Sequence, residues 1–157
     1  VVQRAYMDTH DGKLPIHDGI DVMTVGGVTF KRYLEIAQVL EKTTTVVTDN
    51  DGNIEAVKKK YKEYEKIPYI HICADETVDT GNLKLSDKSF NYNTLEPKIL
   101  KENGRGLLNS IFGTTYKTDD EMHKYMHSHK TDCAIAIFES VTRIKYPEYI
   151  MRAIKNE

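Results

Sequence analysis

The chain predicts an α/β fold: a parallel sheet flanked by helices, followed by a helical C-terminal third. Two observations carry this. Short β-branched runs alternate with segments of helical periodicity in the first half, and the last third repeats helical spacing with few breaks. A third observation fixes where chemistry would sit. The run Thr44-Thr45-Val46-Val47-Thr48 ends abruptly in Asp49-Asn50-Asp51-Gly52. Such a strand presents carboxylates at its C-terminal lip, where ligands bind in open α/β sheets.

In chain order, residues 1–7 read as the latter part of an amphipathic helix, without the Ser, Thr or Asp that would cap its start. Residues 8–19 are polar, punctuated by Gly12, Pro15 and Gly19, and read as loop. Residues 20–25 read as a strand stopped by Gly26-Gly27. Phe30, Tyr33, Leu34, Ala37, Val39 and Leu40 mark a helix over 29–41. A strand at 43–48, a lysine-rich helix at 54–66 and a strand at 69–74 complete a β-α-β-α-β order. Its connections are short enough for right-handed parallel crossovers. Residues 75–94 read as irregular and polar, and helices are expected at 95–103, 107–112, 119–128, 131–141 and 147–155.

Two aspartates two residues apart repel one another and raise each other's pKa unless a cation lies between them. Hard divalent ions favour carboxylate oxygen, so the economical reading of Asp49 and Asp51 is a Mg²⁺ or Mn²⁺ site. A calcium EF-hand starting at Asp49 fails: it needs Gly at its sixth position and Glu at its twelfth, where Ile54 and Lys60 stand. An Asx-type turn at the strand-to-helix corner is the bland alternative, and the string alone leaves it open.

A chain of 157 residues is sized for one domain and can bury a core. The formal net charge of −2 argues against a general nucleic-acid coat protein, but permits a local basic groove. No apolar stretch is long enough to span a bilayer, and no signal segment is present. Cys73 and Cys133, the only cysteines, lie far apart, which suits reduced thiols in a cytoplasmic protein.

Other residues carry weaker signals. Gly26-Gly27 at a strand-to-helix junction suits either a tight turn or close approach to a phosphate; neither a Walker A nor a dinucleotide spacing is present. Thr94 and Glu96 head a helix, as cap and dipole partner or as hydroxyl and third carboxylate of a metal pocket. Lys130 opens a helix whose dipole it opposes. It reads either as an ordinary surface lysine or as a cation steadying a phosphoryl transition state. His123 and His127, with His129 behind, read as a solvated helix face, since no third zinc ligand stands at the required spacing. Lys58 and Lys59, within the run through Lys62, read as a solvated face that also suits a phosphate backbone.

Four stretches in this order resemble a Toprim domain of the OLD (overcoming lysogenisation defect) family of ATPase-nucleases. They are Val22 to Gly27, Val46 to Gly52, Ser89 to Pro97 and His129 to Ala134. Their wording is most similar to the nuclease subunits of Gabija anti-phage systems. The resemblance implies a Rossmann-like sheet and two-metal hydrolysis of DNA with Mg²⁺ or Mn²⁺. It matches Asp49 and Asp51 to the family's D-x-D ligands, Glu96 with Thr94 to the second metal site, and Lys130 to the lysine beside the scissile phosphate. Lys58, Lys59, Gly26 and Gly27 are the expected substrate contacts.

The same resemblance sets the expected domain organisation. Residues 1–157 would form one Toprim nuclease domain of a longer, homo-oligomeric parent. The parent's glutamate-bearing first strand and ATP-binding ATPase domain would precede Val1, and a helicase-like subunit would be its partner. Two other classes remain open: a non-catalytic Toprim-like module binding DNA or protein, and a receiver-like domain in which Asp49 accepts phosphate and Lys130 senses it. A receiver places its acidic pair after the first strand and its lysine after a late strand, whereas Lys130 precedes a helix, which disfavours the receiver.

Overall fold

A computed structural model describes residues 1–26 and 30–155. The chain opens with α1 (Val2–Thr9), a 3₁₀ turn at Pro15–Asp18 and α2 (Phe30–Val39). The β-branched run becomes β1 (Thr44–Thr48). It is followed by α3 (Ile54–Tyr61), which continues into a 3₁₀ turn at Lys62–Tyr64. Asn53 caps α3, its side chain accepting the Ala56 N–H at 3.0 Å. Glu55 in the first turn and Lys58 to Lys60 in the last complement the helix dipole. The chain then enters β2 (Ile70–Ala74), which pairs in parallel with β1, Val46 opposite Ile72 and Thr48 opposite Ala74.

Period-two alternation gives this strand pair two buried faces. Val46, Ile70 and Ile72 pack with Leu34, Tyr61 and Tyr64 from α2, α3 and the turn after it. Val47 faces the other way, against Ala5 and Tyr6 of α1 and Tyr149, Ile150 and Ile154 of the last helix. The architecture is therefore α/β, a parallel sheet between helical layers, as the alternating pattern predicts.

Two expectations need correction. Residues 20–25 form no strand; the parallel sheet comprises β1 and β2 alone among the described residues. Strand propensity becomes a strand only where a neighbour supplies a ladder, and here Val22 and Met23 stay exposed while Ile20 packs on the α1 cluster. Conversely, residues 75–94 hold an antiparallel hairpin of β3 (Leu83–Leu85) and β4 (Lys88–Phe90). A two-residue loop joins them, with Ser86 at φ 58°. The alternation Leu83, Leu85, Phe90 was the available signal, masked by the polar loops around it.

The helical third follows as α4 (Leu95–Phe112), α5 (Asp119–Ser128), α6 (Lys130–Glu139) and α7 (Glu148–Lys155). Thr118 and Glu121 form a reciprocal capping box at the start of α5. The largest core lies here, with Leu83, Ile99, Leu100, Leu108, Met122, Met126, Cys133 and Ile137 packed together. α4 spans both helices expected at 95–103 and 107–112, and it breaks at Gly104, where φ is 74° and ψ 152°. A Cβ at Gly104 would meet nothing within 4 Å, so backbone conformation alone demands glycine there. Gly104→Ala is expected to destabilise the chain by about 1–3 kcal/mol with no packing clash, measured as a lowered urea midpoint at unchanged slope.

Candidate functional site

The C-terminal ends of β1 and β2 form one lip, because parallel pairing of Thr48 with Ala74 brings Asp49 and Asp75 to neighbouring positions. The Asp75 N–H extends the ladder by donating to the Thr48 carbonyl at 3.0 Å. Asn50, only 1 % exposed, stitches the lip together. Its amide nitrogen donates to the carbonyls of Asp75 at 3.1 Å and Thr77 at 2.6 Å. Its amide oxygen accepts the Gly52 N–H at 2.7 Å. This is the Asx turn of the bland reading.

Gly52 is required at that turn. Its φ is 81°, and a Cβ would come to 3.4 Å of the Asn93 amide nitrogen and 3.5 Å of that of Asn91. Asn93 is fully buried; it accepts the Asp79 N–H at 2.7 Å and donates to the Asp79 carbonyl at 2.9 Å. Lys98 of α4 pairs with Asp75 at 2.6 Å and donates to the Thr77 hydroxyl at 3.0 Å. Lys101 pairs with Asp79. The segment from Asp75 to Asp79 is thus a strap that fastens the acidic loop to the first turns of α4.

That fastening brings the three predicted carboxylates into one electrostatic neighbourhood. Burial pushes the Asp49 pKa above its ordinary value; the charges of Asp51 and Glu96 push it further, and the Leu95 N–H at the start of α4 pulls against them. Thr94 stands at the N-cap of α4, but its hydroxyl makes no cap bond. Glu96 pairs with Lys130, the first residue of α6, at 3.0 Å. Tyr149, buried beneath, has its phenol pKa raised by burial and then by Asp49, Asp75 and Glu96. Burial, helped by Asp132 and Glu96, pushes the Cys133 thiol up to about 11, which keeps it protonated and poorly nucleophilic.

The remaining predicted residues are less engaged. Lys58 and Lys59 are exposed on α3, Lys58 pairing with Glu55 at 3.2 Å. Gly26 is exposed with open space where a Cβ would stand, and Gly27 lies outside the described residues. The histidine reading needs correction: His123 is fully buried, beside Phe90 at 4.9 Å between ring centroids, and neither ring nitrogen has a hydrogen-bond partner. The helix α5 turns that position inward, against the hairpin the sequence reading did not see. Burial, then His127, lowers its pKa.

Sequence reasoning missed Asp75, Lys98 and Tyr149. Asp75 had a readable signal, since it follows its strand as Asp49 follows the other. Lys98 and Tyr149 had none, being ordinary members of helical patterns.

As placed, the donors suit a hard cation in kind but not in arrangement. Among the described residues no group of three His, Cys, Asp or Glu stands close enough to hold a metal ion, and Glu96 is committed to Lys130. Among them, too, no helix is long and apolar enough to cross a membrane.

Residues 1–51 match the family model of the overcoming lysogenization defect protein-like TOPRIM domain. The matched span contains both aspartates of the acidic loop and stops before Glu96 and Lys130. It supports a nuclease-type or metal-binding function and accords with the α/β fold. No curated protein and no solved structure matches the chain.

Two outcomes follow from this geometry. Asn50→Ala strips partners from buried carbonyls and is expected to cost about 1–3 kcal/mol, read by urea unfolding. For Asp49 the folded pKa lies above the ordinary value of 3.8, so the folded state holds the proton more tightly than the unfolded. Stability of the metal-free chain is expected to fall as pH rises from that ordinary value through the raised one. Asp49→Asn removes this loss, so its melting temperature at neutral pH should exceed that of the unsubstituted chain. A lower melting temperature for Asp49→Asn would contradict the crowding of these carboxylates.

Proposed function

We propose that the chain is the Toprim nuclease domain of an OLD-family endonuclease that hydrolyses DNA phosphodiester bonds with Mg²⁺ or Mn²⁺. The observation that carries this is that the charges of Asp51 and Glu96 both raise the Asp49 pKa, while Glu96, at the start of α4, pairs with Lys130 at the start of α6. The family match over residues 1–51 supports the same reading.

In this reading Asp49, Asp51 and Glu96 are the metal-facing carboxylates, with the Thr94 hydroxyl beside them. Lys130 is the cation that meets the scissile phosphate, and Lys58, Lys59 and the Gly26-Gly27 turn approach the flanking DNA backbone. The parent would be a cytoplasmic, homo-oligomeric Gabija-type anti-phage ATPase-nuclease, with ATP bound by its ATPase domain and a helicase-like subunit as partner. A receiver-like role draws no support from the geometry, because Lys130 pairs with Glu96 and not with Asp49.

A second reading is a Toprim-like module that binds DNA or protein without cutting. The commitment of Glu96 to Lys130, and the lack of a three-residue metal cluster among the described residues, favour it. Plasmid cleavage separates the two. With Mg²⁺ or Mn²⁺ the nuclease nicks or linearises plasmid DNA, and Asp49→Ala or Asp51→Ala lowers the rate by at least about a hundredfold, a loss matching the upper range for weakened metal shells. In the longer parent that carries the expected first-strand glutamate, DNA binding without cleavage, or cleavage unimpaired in both variants, would overturn the nuclease assignment.

A further inference from the structure

The helix α2 is apolar on two sides. Leu34 and Ala37 are buried, Leu34 packing with Tyr61, Tyr64 and Ile70. Tyr33, Ile36, Val39 and Leu40 instead lie in the open, 44, 57, 82 and 68 % exposed. Single apolar side chains on a surface are ordinary, but four within the eight residues 33–40 make a patch. A surface helix keeps its outer face polar, whereas one that is apolar on both faces is covered on both. The shape of the outer face fits a helix. A recess on it is lined by Arg32, Glu35, Ile36, Val39 and Leu40. The first four stand at i, i+3, i+4 and i+7, the diamond of side chains that receives a knob from a facing helix. Tyr33, Ile36 and Leu40, at i, i+3 and i+7, supply knobs from the same helix. The charge on the rim fits a second copy. Among the described residues Arg32 and Glu35 form no ion pair, whereas Lys31 beside them is taken by Glu63 at 2.9 Å. One cation and one anion leave the rim neutral, so it meets its own duplicate without net repulsion, as a patch that pairs with itself must.

We propose that the outer face of α2 pairs with the same face of a second copy of this chain, as a helix-to-helix seam of Ile36, Val39 and Leu40 rimmed by Arg32 and Glu35. The seam gives the homo-oligomer of the nuclease reading a contact surface, and it stands whatever chemistry the lip performs. A helix of ten residues is about 15 Å long, so the seam falls short of the ~800 Å² per partner of a standard interface. The pair is accordingly weak, with a dissociation constant expected at about 10–500 μM, beyond the micromolar end of standard interfaces. In a longer parent, further contacts between the same two copies would add to it through effective concentration.

Sedimentation velocity of this chain from about 5 μM to about 1 mM tests the pairing without any turnover. The unsubstituted chain is expected to pass from monomer to dimer across that range. Val39→Glu, at an exposed position that leaves the fold intact, should weaken the dimer at least about tenfold, the scale of a central interface residue. Arg32→Glu leaves two anions on each rim and Glu35→Lys two cations, so each variant alone should stay monomeric. Mixed in equal amounts, the two should associate again, because each rim then meets its opposite. A chain that is monomeric throughout overturns the proposal and leaves the seam to a helix of another protein or of the parent. A dimer that survives Val39→Glu forms through another surface and overturns it as well. Dimer loss in Val39→Glu with no recovery in the mixture shows the seam meeting a different face, which overturns the pairing of like with like. The expected pattern in a protein that cuts no plasmid upholds the seam and removes only the nuclease reading.

Discussion

The lip depends on a buried amide. Asn50 spends both halves of its side chain on backbone, donating to the exit of β2 and accepting from Gly52. A two-stranded parallel sheet has little intrinsic rigidity at its ends, and loops leaving it would otherwise diverge. By tying Asp75 and Thr77 to the loop that bears Asp49, Asn50 converts two strand exits into one platform. Asn93 repeats the device one layer on, pairing with the backbone of Asp79 through both its amide atoms. Polar groups this deep are stabilising only where they are partnered, and the bonds of Asn50 and Asn93 join the platform into one network.

On that platform the chain tolerates unfavourable charge. Asp49 is pushed toward its protonated form by burial and by two neighbouring carboxylates, and the underlying Tyr149 phenol feels the same negative field. Nothing in folding requires this crowding. Packing favours apolar residues at a half-buried strand exit, and the chain instead places Asp49 against the N–H of Leu95 and Glu96 against Lys130. Strain of this electrostatic kind is what binding sites hold in reserve for a ligand of opposite sign. The Lys98–Asp75 pair limits it, since one carboxylate at the lip is permanently neutralised from within α4.

Much of this was legible in the sequence, for reasons that also explain the failures. β1, β2 and the acidic turn between β1 and α3 were readable because β-branched runs stopped by Asp-Asn-Asp-Gly leave few alternatives. The kink in α4 was readable as a gap between two helices because Gly104 interrupts the pattern. Residues 20–25 were misread because strand formation depends on a neighbour, which local composition does not report. The hairpin at Leu83 to Phe90 was hidden by short strands and a Ser-Asp loop lacking glycine. That omission carried the His123 error with it, since the ring is buried against Phe90 of that same hairpin. At the lip, the association of Asp49 with Asp51 was local and visible. The ion pair between Glu96 and Lys130 joins positions on two helices, and only the folded chain reveals it.

The three hydrophobic clusters have one more implication. The cluster of Leu34, Tyr61, Tyr64 and Ile70 shares no described residue with the large cluster built on Leu83, Leu108 and Met122. Leu95, by contrast, packs against both the large cluster and the one around Ala5, Tyr149 and Ile150. Asp49 issues from the strand between the first and third of these packing units, whereas Glu96 and Lys130 issue from helices of the large one. Cooperative units of a protein open independently when few contacts join them. An ion or phosphate seated among these side chains would bind only when the units are docked, so its binding energy would be spent on holding them together. Occupancy of the lip would make the chain fold and unfold as one body.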